Sequence, residues 1–385
     1  MDSTYLEELI REVNLRGGGI ILSMAGKSEA VVLNIQKYND LMEQLGQATK
    51  TATNTSPMKK SQTILVTGGA GYVGSHTVRQ LLTQGYKVVI VDNLSTGKKE
   101  FVAPQATFYE GNFGDPTLLT KIFAENNIDA VMHFAASLEV EESVAKPAEY
   151  LHNNVIHTIT LLAEMNRANV KKIIFSSTGA VYGEQIKMPI PETAELNPGN
   201  PYGYTKYLGE VLLKYYAEHL GFQASVLRYF NVCGASFEGD LGDTHINSHL
   251  IPIIMEVAKG VREKLTVFGN DYNTFDGTCV RDYIHVLDVA EAHILALEKL
   301  GTGDSYNVYN LGTGKGLSVE EMVAAVAEIT ERMVPMEMGP RRAGDAPSTV
   351  ADNSKIKREL GFEPKFSDLD TIIKTTWNRM TKNSH

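Results

Sequence analysis

A short apolar run, Ile64-Leu65-Val66, opens directly into Thr67-Gly68-Gly69-Ala70-Gly71-Tyr72-Val73-Gly74. No other stretch restricts the fold of this chain as strongly. Gly68, Gly71 and Gly74 are spaced Gly-x-x-Gly-x-x-Gly. In a strand–turn–helix unit the first glycine permits the tight turn. The second lets the backbone approach a pyrophosphate, and the third lets the helix pack closely on the strand. The helix N-terminus then offers free N–H groups and a positive dipole end to the phosphates; Tyr72 and Val73 are assigned to the site with this loop. The next strand, Lys87 to Val91, ends in Asp92, 18 residues past Gly74. That is close to the roughly 20 expected of a ribose-binding carboxylate. An aspartate there repels a 2′-phosphate, which favours NAD over NADP.

Further strand-like runs are Ala130 to Phe134, Lys172 to Ser176 and Ala224 to Arg228, separated by helical stretches. This alternation predicts an α/β fold, a doubly wound parallel Rossmann sheet, over residues 61–235. Beyond about residue 235 the pattern loosens, with helices legible at 250–259, 286–300 and 319–332 among short strands. Residues 236–385 are therefore expected to form mainly a smaller α/β substrate-binding lobe. Some segments, Tyr306 to Leu311 first among them, are expected to return to the large sheet. Residues 1–48 read as a small α+β extension. Apolar residues at helical spacing (Tyr5, Leu6, Leu9, Ile10, Val13) precede two short strands, Ile20 to Ser23 and Ala30 to Leu33, and a helix from Ile35 to Leu45. Residues 49–60 have the composition of a linker.

Composition narrows the function classes. With 385 residues and a net charge of −10, the chain has no basic surplus to track nucleic acid, so nucleic acid is not expected as its main partner. Two cysteines, Cys233 and Cys279, make no disulfide framework and suggest a reducing compartment. No apolar run approaches the roughly 18 residues of a membrane span. The acidic, amphipathic N-terminus does not look like a signal peptide. The expectation is a cytoplasmic enzyme.

Downstream of the glycine loop, the strand Lys172 to Ser176 runs on into Ser177-Thr178, and Tyr202 precedes Lys206 by one helical turn. Tyrosine and lysine four residues apart share a helix face. An ammonium near a phenol favours the phenolate, which is a general base for a sugar or alcohol hydroxyl. The expectation is that Lys206 lowers the Tyr202 pKa.

Together the glycine loop, Ser176-Ser177-Thr178 and the Tyr202–Lys206 pair resemble the extended short-chain dehydrogenase/reductase family. Further stretches resemble its UDP-glucose 4-epimerase branch. These include Asp92-Asn93-Leu94, His133-Phe134-Ala135-Ala136, Asn153-Asn154, Val181-Tyr182-Gly183, Leu227 to Asn231, Phe268 to Tyr272, Gly277 to His285 and Pro340 to Asp345. The resemblance covers roughly residues 62–377. It implies reversible 4-epimerisation of UDP-glucose and UDP-galactose through a 4-keto intermediate, with NAD as a cofactor regenerated each turn. Tyr202 would take the proton of the sugar 4-hydroxyl. Lys206 would hold the nicotinamide ribose, and Thr178 would bridge the 4-oxygen and the phenol. The alternatives that stay open are another NDP-sugar epimerase and a low-turnover sugar-nucleotide sensor. Related 4,6-dehydratases carry an acid directly after the Ser/Thr. Here Gly179 and Ala180 follow Thr178, and neither does acid–base work.

Carried over by position, the resemblance assigns Asn93, Asn112, Phe134, Ala135, Ala136, Asn153, Ser176 and Tyr229 to the cofactor. It assigns Asn231, His249, Leu250, Val267, Phe268, Arg281, Arg342, Asp345 and Thr349 to the substrate, and no metal is implied. Arginine suits bidentate phosphate binding. The chain departs from the family at Asn112, usually Asp; at Leu138, often Lys; at Val232, usually Pro; and at His249, where an amide is expected. Thr349 gates the space beside the sugar C2 group, and its small size implies that N-acetylhexosamines are accepted as well. The family is expected to form homodimers. Ile20 to Ser23, Gly26-Lys27, Ala30 to Leu33 and Tyr38 to Met42 resemble the N-terminal part of prevent-host-death-type antitoxins. A nucleic-acid or toxin partner follows only from that second resemblance.

Overall fold

The computed structural model describes residues 19–24, 27–33, 61–245, 248–342 and 345–382, with backbone alone over 19–33. The chain divides into two compact units, Met1–Thr53 and Asn54–His385. In the first, β1 (Gly19–Met24) and β2 (Lys27–Leu33) pair antiparallel, with a register shift at Leu22/Ser23. The helices expected over 5–13 and 35–45, and the linker 49–60, lie outside the described residues.

The second unit is built on a seven-stranded parallel sheet. Its strands are β3 (Thr63–Thr67), β4 (Lys87–Asp92), β5 (Thr107–Glu110), β6 (Ile128–His133), β7 (Lys172–Thr178), β8 (Gln223–Tyr229) and, after the lobe strands given below, β13 (Tyr306–Leu311). Their order is β13-β8-β7-β6-β3-β4-β5. The order reverses at β3, so a crevice opens beyond the carboxyl ends of β3 and β6, where doubly wound sheets bind ligands. Ile64, Leu65 and Val66 of β3 are all fully buried, because helices cover both faces of a parallel sheet.

On one face Ile64 and Val66 pack in a core with Val78 and Leu81 of α1 (Tyr72–Thr83). On the other, Leu65 packs with Leu119 of α2 (Pro116–Glu125), Met165 of α3 (His157–Arg167) and Leu213 of α4 (Pro201–Leu220). α4 starts where Asn200 accepts from the Gly203 amide with Pro201 in the first turn, and it stops at Gly221 in the left-handed region. Capping thus sets the axial position of Tyr202 and Lys206.

The lobe contributes α5 (Leu250–Ala258), α7 (Val319–Thr330), α8 (Leu369–Lys382) and three small sheets. These pair β9 (Asn231–Cys233) with β12 (Tyr283–His285), and β10 (Leu265–Phe268) with β15 (Met336–Gly339). In the third, β11 (Val280–Arg281) lies between β14 (Leu317–Ser318) and β16 (Ser348–Thr349). Ile251, Ile254, Val267, Met322, Val326 and Ile372 form its core. Two expectations change. The helix read at 286–300 is α6 (Val286–Lys299), and it belongs to the large sheet rather than the lobe: Val289, Ala292 and Leu297 share a core with Val78 and Leu81. Apolar periodicity identifies a helix but not the layer it covers. β5 escapes the sequence reading because Thr-Phe-Tyr-Glu at a half-exposed edge carries no apolar run.

Candidate active site

The glycine loop is shaped by contacts that leave no room for side chains. Gly68 has φ +73°, and a Cβ there would stand 2.7 Å from the Ala135 amide nitrogen. A Cβ on Gly74 would stand 2.1 Å from the Gly68 carbonyl oxygen. Gly71 caps α1 without a side-chain hydrogen bond, which leaves the first-turn amides for an anion. Asp92, buried at the end of β4, accepts from the Ala70 amide (2.9 Å) through Oδ2 and from the Leu94 amide (2.8 Å) through Oδ1. Each oxygen keeps a lone pair for a ribose hydroxyl. Asn93 and Asn112 each close an Asx turn, onto the amides of Ser95 (3.1 Å) and Gly114 (2.8 Å). The amides of Phe134 and Ala135 both donate to the Thr67 carbonyl, at 3.0 and 3.1 Å, so β6 and the half-buried Ala136 follow β3 to the crevice. The Tyr72 side chain serves a different purpose: its hydroxyl donates to the Gly234 carbonyl at 2.6 Å. Only its amide remains for a phosphate. An NAD molecule fits this donor set, with a ribose acid, an uncapped helix N-terminus and a loop stripped of side chains.

The catalytic group forms where β7 meets α4. Thr178 ends β7, and its Oγ1 accepts from the Ala180 amide at 3.2 Å. Its hydroxyl is also hydrogen-bonded to the Tyr202 phenol. Lys206 is 4% exposed, and its Nζ donates to the Ser176 carbonyl at 2.9 Å. The expected lowering of the Tyr202 pKa is not found. Burial pushes the phenol up to about 12; the Thr178 hydrogen bond opposes this, and the Glu139 charge adds to it. Burial also brings Lys206 down to about 7, against the pull of Glu210. In so dry a site desolvation is the largest influence on each group.

Behind Thr178 lies a polar network that the sequence reading does not contain. Glu210 Oε1 accepts from the Ser177 hydroxyl (2.5 Å) and from Arg228 Nε (3.0 Å), while Arg228 Nη2 reaches Oε2 at 2.6 Å. Arg228 also donates to the Tyr182 hydroxyl (2.8 Å), which donates to Asn310 (2.6 Å). Both members of the ion pair are at least 96% buried. The signal for Glu210 was its place one turn after Lys206.

Ser176 and Tyr229 share a side-chain hydrogen bond, and the Tyr229 hydroxyl also meets His293 at 2.6 Å. Asn153 donates to the Ser137 hydroxyl at 3.1 Å. The buried Asn154 ties Ser137 to Thr205 on α4 through bonds of 2.8–3.0 Å. His133 lies between Thr67 (2.6 Å) and Thr158 (3.0 Å), and burial lowers it to about 3, so it is neutral.

The residues that the resemblance assigns to the substrate come from separate segments of the lobe. β11 pairs with β16 so that Arg281 stands beside Thr349, and Arg281 lies 3.5 Å from Asp345. Arg342 lies 3.9 Å from the Phe268 ring centre and 3.8 Å from Glu141. Val267 is buried and Phe268 half-buried on β10, and Asn231 is exposed on β9. His249 immediately precedes Leu250 at the start of α5. Sequence reasoning passed over Asp243, whose carboxylate meets His249 Nδ1 at 2.5 Å and His245 Nδ1 at 2.8 Å. The spacing Asp-x-His-x-x-x-His was the available signal.

A doubly wound sheet with this loop and a Thr–Tyr–Lys group at its crevice defines an NAD-dependent enzyme of the short-chain dehydrogenase/reductase type. The chain belongs to the NAD dependent epimerase/dehydratase family, whose model matches residues 64–312, and within it to the UDP-glucose 4-epimerases. It is 48% identical over 323 residues to the UDP-glucose 4-epimerase of Halalkalibacterium halodurans, a match covering 84% of this chain and 96% of that protein. The crystal structure of UDP-glucose 4-epimerase from Brucella ovis in complex with NAD is 45% identical, with a TM-score of 0.79 over 82% of this chain and 98% of that one. The enzyme from Bifidobacterium longum in complex with NAD+ and UDP is 40% identical, with a TM-score of 0.79 over 84% and 99%. Family and site agree on NAD as the cofactor. Among the described residues no helix is long and apolar enough to cross a membrane.

Proposed function

We propose that this chain interconverts UDP-glucose and UDP-galactose by inverting the configuration at C4 of the sugar. The observation that carries the reading is the Thr178–Tyr202 hydrogen bond at the end of β7, one helical turn from a buried lysine. NAD, when bound, supplies the two-electron acceptor that takes a hydride from C4 and gives it back to the opposite face. The protein handles the proton. Lys206 has a pKa of about 7 and Tyr202 one of about 12. At rest the proton therefore stays on the phenol, and forming the phenolate relies on positive charge beside it, an ammonium at Lys206 together with the nicotinamide of bound NAD. The phenolate accepts the 4-hydroxyl proton as the ketone forms and returns it when the alcohol is restored. Thr178 holds the 4-oxygen against the phenol. Gly179 and Ala180 beyond it supply no acid at the position where related dehydratases carry one, which disfavours dehydration.

Arg281, Arg342 and the α5 N-terminus would hold the diphosphate, and Asp345 a ribose hydroxyl. Exposed Val140, Val144, Leu151, Tyr204 and Val211 lie on adjoining helices, which supports a homodimer through this face. Two buried, unpaired cysteines support a reducing, cytoplasmic setting, and the proposed interconversion would give the chain a role in galactose metabolism. The short Thr349 side chain leaves space for an N-acetyl group. A coupled assay should give comparable kcat/KM for UDP-galactose and UDP-N-acetylgalactosamine. In Thr349→Tyr the ratio should shift against the N-acetyl sugar by about 10-fold or more, the usual scale for pocket size. No turnover of either hexose form by the unmodified protein would end the epimerase reading.

A further inference from the structure

Asp243, to which the 4-epimerase reading gives no role, pairs with His249, which that reading assigns to the substrate. Asp243 lies in the segment between β9 and α5. Its two carboxylate oxygens are divided between two imidazoles: Oδ1 meets His245 Nδ1 at 2.8 Å and Oδ2 meets His249 Nδ1 at 2.5 Å. The His245 backbone amide donates to Oδ1 at 2.9 Å. The carboxylate is therefore anchored without either ring, and its side chain is only 7% exposed. The His249 ring is 35% exposed. With Nδ1 committed to Asp243, Nε2 is the ring's remaining donor. His249 is also the N-cap of the nine-residue α5, with no side-chain hydrogen bond closing the cap. The positive end of that helix and the imidazole thus meet at one point, an arrangement suited to an oxyanion.

We propose that Asp243 is a positioning residue that holds His249 as an imidazolium with Nε2 presented to the diphosphate of the nucleotide sugar, making substrate affinity depend on a single histidine proton. The proposal rests on the 4-epimerase reading, and it names the device that replaces the neutral amide expected at position 249. Charge around the ring supports it. Among the described residues, the groups that face His249 are Asp243, His245 with its ring centre 4.8 Å away, and Glu139 from the loop before the Val140–Ala145 helix, which is tied to Ser248 by a 3.0 Å hydrogen bond. Burial lowers the His249 pKa, but Asp243 and then Glu139 raise it further, for a net upward shift. Its partner Asp243 is held well below the usual carboxylate range by hydrogen bonds to the two histidines, despite its burial. The sign follows. A histidine whose pKa is raised carries its charge below its ordinary range and loses it as pH climbs through the raised value, so substrate affinity is highest on the acid side.

The test is the pH dependence of KM for UDP-galactose, and of Kd for UDP alone, between about pH 6 and pH 9 on the full chain with NAD. The scale for one charge-assisted hydrogen bond is about 10-fold or more in affinity. The unmodified protein should show KM and Kd rising by about that much with pH, on a limb that kcat does not share. Asp243→Asn should move the limb to lower pH. Asp243→Glu, which keeps the carboxylate, should restore it, and thermal denaturation of both variants separates this from loss of fold. His249→Asn should give a flat profile at the weak end. His245→Asn should keep the limb, because the His245 backbone amide still anchors Asp243. Limb positions that coincide in the unmodified protein and Asp243→Asn would overturn the proposal. So would abolition of the limb by a chelator, or by His245→Asn to the same extent as His249→Asn, since both would mean a metal held by all three side chains. Epimerase turnover in the unmodified protein with no limb in KM or Kd would sink this inference while leaving the 4-epimerase reading standing.

Discussion

The cofactor half and the substrate half of the cleft are made in different ways. Gly68, Gly71, Gly74 and Asp92 lie within one strand–loop–helix–strand unit, and their geometry is local: Asp92 grips the loop through the Ala70 amide at 2.9 Å. The residues proposed for the substrate side, Asn231, His249, Phe268, Arg281, Arg342 and Thr349, come from separate segments. The lobe's small sheets bring some of these together, such as Arg281 beside Thr349. A site built from one unit tolerates little change in sequence. A site gathered from many can change residue by residue. Between the halves stands the Thr178–Tyr202–Lys206 group, fixed to the sheet by the buried Glu210–Arg228 pair.

The strongest way to break this picture is at its centre. Tyr202→Phe should keep the fold and NAD binding while kcat falls by about 10²–10⁴-fold, the range for acid–base groups. Stopped-flow or coupled assays beside NAD titration would show it, and near-normal kcat would refute the mechanism. Glu210→Gln comes next. Breaking a buried ion pair costs about 3–5 kcal/mol, because Arg228 is left charged in a dry interior. Denaturation should register that loss, and restoring volume with apolar residues at both positions should recover much of it. Arg342→Ala is milder and separates the halves. KM for the UDP-sugar should rise about 10-fold or more, on the scale of a charge-assisted contact, with NAD affinity unmoved. An equal loss of NAD affinity would show that the two halves are not independent.

Much of the cofactor half was legible because its signals are local. The glycines, the strand before them and the acid at the end of the next strand all fall within one βαβ repeat. The same reading singled out Thr178, Tyr202 and Lys206, which stand at the end of β7 and on α4. It missed their surroundings, since nothing in the spacing of Glu210 and Arg228 shows that they meet across 18 residues. It expected Lys206 to acidify Tyr202 and overlooked that both groups are desolvated. It placed α6 in the lobe because an apolar stripe does not name its partner. It placed Tyr72 at the cofactor but did not show why only the amide is left for that role: the hydroxyl binds Gly234, 162 residues away.

The sequence by itself determined the class of chemistry. A glycine-rich turn between strand and helix, an acid at the next strand end and a tyrosine one turn before a lysine are short-range patterns, and short-range sterics and hydrogen bonding suffice to fix what they do. Only the tertiary structure decided the electrical state of the site. Whether Tyr202 holds its proton, whether Lys206 is charged near neutrality and whether His249 is pushed toward its cationic form all depend on burial and on groups brought in from other segments. Those energies arise from the removal of water around each charge, and no local pattern of residues records how much water the finished fold excludes.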